Sequence, residues 1–155
     1  MDASQVTRTR KSMADFGLSA TALLDRVPLA LPAFVLRWGV AVVFFRSFLV
    51  KMDSWQTTIM LFENEYNVPI LPPVLAAYMA AAIEFAAPIM LVLGLGTRLA
   101  AAAMFGMTLV IQLFVYPGSW PDHLLWTGPL LYLILRGPGA WSVDAVIRHH
   151  FDPDS

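Results

Sequence analysis

Three charged side chains stand where every neighbour is apolar or small: Glu84 within the stretch 73–93, and Arg37 and Arg46 within 31–50. Placing an ionisable residue inside a membrane-length apolar segment costs a few kcal/mol, so such a residue has a partner or a function. Glu84 beside an arginine would make a buried polar site suited to a proton, a quinone head group or a small anion. The same pair could equally do no more than fix the register of two helices. At 1.5 Å per residue, Arg37 and Arg46 lie about 7 Å to either side of mid-span, with Glu84 near the middle. Nine residues at 100° each put the two arginines on opposite faces, so only one can point at Glu84. The sequence leaves open which. Lys51, at the end of the same stretch, shares a face with Arg37 and Phe44 at spacings of seven.

A second group is the adjacent pair Asp122-His123. Neighbours on a helix point about 100° apart and form no site alone, so a ligand set would need Glu63, Glu65 or Asp53 brought in by folding. Asp122 near a helix start is explained by the helix dipole, and no metal site is expected. Met79, Met90, Met104 and Met107 read as packing residues. The chain has no Cys, which removes disulfides, CxxC redox chemistry and a thiol nucleophile. A net charge of −1 gives no footprint for nucleic acid.

The elements that must position these residues are transmembrane. The 155 residues are 58% hydrophobic and only 14% charged, with mean hydropathy +0.65. Apolar stretches at about 31–50, 73–93, 99–116 and 122–136 are expected to cross a bilayer, the last being the shortest. The expected fold is an all-α, four-helix transmembrane bundle with short amphipathic surface helices. Residues 1–28 would be an N-terminal segment whose 13–27 portion lies on the membrane, 29–138 the membrane domain, and 139–155 an amphipathic tail. Trp55, Ile59, Phe62 and Tyr66 mark an apolar face on a connector helix. Lys and Arg number seven in the N-terminal segment, the 94–98 joint and the C-terminal end, against one, Lys51, on the other side. Both termini are therefore expected in the cytoplasm of a plasma (inner) membrane.

In order and spacing, the Arg37-x-Gly39 pair, Lys51, the segment 62–73 ending in prolines, Glu84, Leu93-Gly94-x-Gly96-Thr97-Arg98 and the Ala-rich third span resemble the DoxX family of small four-span membrane proteins. The stretch from Trp38 through Arg46, and Trp120 through Trp126, resemble one branch associated with genes for a metallophore-type peptide-modifying system. The resemblance implies an accessory subunit of a redox- or metal-stress membrane system, working with other membrane or redox proteins or as a homo-oligomer. Two alternatives go with it. One is a quinone-linked oxidoreductase subunit of the thiosulfate:quinone type, with quinone as the one cofactor to consider. The other is a small proton-coupled transporter using Glu84.

Overall fold

A computed structural model of the chain describes residues 28–66 and 68–151. The expected surface helix at 13–27 and the last four residues of the tail lie outside the described residues. The described residues form six α-helices and no strand: α1 (Ala30–Asp53), α2 (Trp55–Leu61), α3 (Pro73–Leu93), α4 (Thr97–Val110), α5 (Trp120–Arg136) and α6 (Val143–Phe151). Two π-helical turns, Phe62–Tyr66 and Ile111–Val115, continue α2 and α4.

Among the described residues, three helices are long and apolar enough to cross a membrane: α1, α3, and α4 with its π extension. With 17 residues, α5 is shorter; at 1.5 Å per residue it reaches about 26 Å. Their boundaries follow local chemistry. Pro73 opens α3 where a missing N–H does no harm. Gly94 closes it in the left-handed conformation (φ 69°), with Leu95 N donating to Met90 O at 2.9 Å. The Ser54 hydroxyl caps α2 by accepting from Thr57 N.

Helix α1 packs on α3 and α5, and α4 packs on the same two. The shared core is Val40, Ala41 and Phe44, with Ala87, Leu91, Ala100, Ala101, Met104, Leu130 and Leu133. Alanines at the crossings let backbones approach closely, as membrane helices require. The outward faces are apolar too: Val35, Val42, Leu49, Phe85, Ile89, Leu131 and Leu135 are all exposed. Apolar side chains on the outside with charges inside suit lipid as the solvent.

Both ends of this assembly carry extra structure. At one, the apolar face of α2 and its π turn (Trp55, Ile59, Phe62, Tyr66) packs with Ala76 and Ala77 of α3. At the other, α6 is fastened to the α3–α4 joint. Asp144 N donates to Gly94 O at 2.9 Å, and the Asp144 carboxylate accepts from Gly96 N (2.7 Å) and Thr97 N (3.0 Å). Asp144 thus satisfies orphan amides at the start of α4, which has no capping side chain of its own.

Candidate functional site

Glu84 lies on the buried face of α3, one turn from Ala81 and Pro88. Pro88 has no N–H to return to the Glu84 carbonyl, so the helix loses one rung at this residue. The side chain is 2% exposed. Its Oε1 accepts from Lys51 Nζ at 2.8 Å and from Ser47 Oγ at 2.9 Å, and Lys51 also donates to Ser47 Oγ at 3.0 Å. Ser47 and Lys51 are one turn apart on α1, so a single helix face presents both donors. The second carboxylate oxygen, Oε2, is buried and has no hydrogen-bond partner.

Neither arginine pairs with Glu84, which corrects the expectation that one of them would. Arg37 is fully buried, but at the α6 end, where its guanidinium donates to the Trp141 carbonyl and stacks 5.6 Å from the Phe34 ring centroid. Its Nε and Nη1 have no partner. Arg46 is exposed on the outward face of α1. Lys51 takes the place because a lysine at the end of a span can fold its four-carbon stem back inward. Lys51 shares a face of α1 with Arg37 and Phe44, and both of those are buried.

Glu84 lines a cavity of about 450 Å³. The walls come from α1 (Phe44, Ser47, Lys51), the connector (Phe62, Tyr66, Val68, Leu71), α3 (Met79, Ile83, Glu84), α4 with its π turn (Gly106, Met107, Ile111) and α5 (His123, Trp126). They are mostly apolar. The two π turns meet at one end of the cavity, where the Tyr66 and Tyr116 rings sit edge to face at 5.8 Å. Tyr116 Oη donates to Glu65 Oε1 at 3.0 Å.

Asp122 and His123 part company. Asp122 is exposed in the first turn of α5, where the dipole favours it. His123 is buried and turns into the cavity wall, its ring 5.2 Å from that of Trp126. Its Nδ1 bonds Gln112 Oε1 at 2.5 Å, and Gln112 Nε2 donates to Pro117 O at 2.7 Å. The carbonyl at Pro117 can only accept, which turns the Gln112 amide so that its oxygen faces the imidazole. The neutral ring then carries its proton on Nδ1 and leaves Nε2 as an acceptor. No three His, Asp or Glu side chains gather as a metal site among the described residues.

Sequence reading missed Ser47, Gln112, Tyr66 and Trp126 as cavity residues. It treated His123 only as half of an adjacent pair with Asp122 that forms no site alone. A signal was present: His123, Trp126, Leu130 and Leu133 recur at spacings of three, four and three, the buried face of α5.

A family model described as DoxX matches residues 33–117, more than half of the chain. No curated protein and no solved structure matches it. The chain belongs to the DoxX family and is an integral membrane protein. The matched region contains Ser47, Lys51 and Glu84 and ends before His123.

Proposed function

We propose, from membership of the DoxX family, that this chain is an accessory membrane subunit that holds a quinone-type molecule for a redox system of the plasma membrane. In this reading α5 also crosses the bilayer, giving four spans with both termini cytoplasmic. The cavity then opens toward the outer half. The observation that carries the reading is that the Lys51–Glu84 pair borders a mostly apolar cavity of about 450 Å³, with one buried carboxylate oxygen left unpartnered. Pockets of roughly 300–1,000 Å³, mostly apolar with a few convergent polar groups, suit small organic ligands.

Chemically the arrangement fits a neutral molecule with an apolar body and a polar end. Lys51 and Glu84 cancel in charge, so the site favours no net ion. Two of the three Lys51 N–H groups point to Glu84 and Ser47, leaving one to donate to a ligand. Glu84 Oε2 can accept a proton or a hydrogen bond. Phe44, Ile83, Met107 and Trp126 exclude water around them. A bound quinone would supply two-electron, two-proton carrier chemistry. The chain offers no thiol to reduce it, so a partner must exchange the electrons. The exposed apolar side of α6 (Val143, Val146, Ile147, Phe151) suits the membrane surface where such a partner would dock.

The test is equilibrium binding of decylubiquinone to the purified protein in lipid nanodiscs. Gly106 lines the cavity, and a Cβ added there meets nothing within 4 Å. Gly106→Phe should therefore fill the cavity without disturbing the fold. Saturable binding lost in Gly106→Phe is the expected result. Absence of saturable binding to the unmodified protein, or equal binding to Gly106→Phe, contradicts the proposal.

A further inference from the structure

We infer that the outward face of α1 around Arg46 is a docking face for a transmembrane helix of another protein, one that carries an Asp or Glu level with Arg46. The inference does not depend on what the cavity holds. Arg46 lies within α1, a helix long and apolar enough to span the membrane. It is exposed on the side away from the bundle. Among the described residues its guanidinium has no hydrogen bond, ion pair or ring contact. The residues one and two turns away on that face, Gly39, Val42, Val43, Leu49 and Val50, are exposed as well. An unpaired cation thus stands within an apolar surface turned to lipid. Ionisable side chains in a span normally face the bundle interior, as Glu84 and Arg37 do here.

Lipid headgroups are one source of counter-charge, and the helix geometry works against them. The nearer end of α1 is Asp53, seven residues on and about 10 Å along the axis. Cα–Cβ bonds in a helix tilt toward its N-terminus, so the Arg46 side chain leaves the backbone toward mid-membrane, away from that rim. The same tilt brings Lys51 back to Ser47 and Glu84. A carboxylate on an adjacent helix meets the guanidinium without reversing its course. A second copy of this chain does not supply one. Beyond the terminal turns of α1, α3, α4 and α5, the one carboxylate is Glu84, which is buried and held by Lys51. Gly39, seven residues before Arg46, is an independent observation on the same stripe. A Cβ added there would meet nothing within 4 Å. Its smallness therefore serves no packing inside this chain, although glycine weakens a helix relative to alanine. On an outward stripe it lets a second helix backbone approach closely.

Fluorescence energy transfer in phosphatidylcholine vesicles tests this, with the full chain labelled at its N-terminus and two synthetic Leu-Ala transmembrane peptides as probes. One peptide carries a single Asp level with Arg46; the other carries Leu at that position. The Asp peptide should associate about tenfold more tightly than the Leu peptide. Arg46→Leu should abolish the difference. Gly39→Leu should weaken association of the Asp peptide while leaving the chain itself unchanged, since the added side chain meets no neighbour at its base. Equal association of the two peptides overturns the proposal and assigns the guanidinium to lipid headgroups. A preference for the Asp peptide that survives Arg46→Leu overturns it as well. So does energy transfer between donor- and acceptor-labelled copies of the full chain that disappears in Arg46→Leu, because the occupant is then a second copy. The comparison of the two peptides uses the unmodified chain, so it does not depend on any variant folding.

Discussion

Glu84 is held by Lys51 and Ser47 at one oxygen while the other is buried without a partner, and the energetics of that asymmetry can be measured. Glu84→Gln leaves the Lys51 ammonium beside an uncharged amide. Breaking a buried pair from one side costs about 3–5 kcal/mol. Lys51 keeps 16% side-chain exposure, so a loss of about 2–3 kcal/mol is expected. It should be read as reversible unfolding in mixed detergent micelles. The double variant Glu84→Gln with Lys51→Met should recover most of it, because no uncompensated charge remains; failure to recover would mean that the pair is not the source. Ser47→Ala removes one bond to the carboxylate and should cost about 1 kcal/mol in the same assay. At this scale the sequence was half legible. Ionisable residues stand out in an apolar run, so Glu84 and Arg37 were found. Which cation meets the acid depends on side-chain reach and on the docking of α6 over Arg37, and neither is encoded in the spacing of α1 alone.

Helices α1, α3 and α5 were legible because length, prolines and Gly94 mark them. The two π turns were not. A π turn needs one widened hydrogen bond, such as Tyr116 N to Ile111 O at 2.8 Å, which no residue type announces. That turn contains Gln112, the residue that orients His123, so the His123 pole of the cavity was out of reach of periodicity counted at 3.6. The fastening of α6 was likewise hidden, since it joins residues nearly fifty positions apart. Gly94 is where it can be broken. A Cβ there would lie 2.0 Å from Arg37 Nη1 and 2.4 Å from Ser142 Cβ, on a backbone at φ +69°. Gly94→Ala should raise amide hydrogen exchange across α6 by about tenfold or more while α4 beyond its first turn stays protected. Unchanged exchange in α6 would show that the joint tolerates the methyl group and that Arg37, Gly94 and Ser142 are not packed as described.

At the scale of the whole molecule, an apolar exterior surrounds a charged interior, and the composition already implied this. Membership of the DoxX family and three membrane-length helices agree with it. The fourth crossing depends on α5, whose 17 residues contain Pro129 and begin at Trp120. A chain without cysteine makes the test clean. Single cysteines replacing Ser119 and Ala140, at the two ends of α5, should react with an impermeant maleimide from opposite sides of the membrane, Ser119→Cys from outside. Labelling of both from one side would make α5 a re-entrant or surface helix. That would move the mouth of the cavity relative to the bilayer. The central claim, that the space beside Glu84 holds a quinone-type molecule, is tested most directly by photolabelling the full chain in nanodiscs with an azido-quinone and mapping adducts by mass spectrometry. The account predicts adducts on cavity residues such as Met79, Met107 and Trp126, suppressed by excess unreactive quinone. Adducts confined to the outward faces, at Phe85, Leu131 or Leu135, and insensitive to that competitor would contradict it.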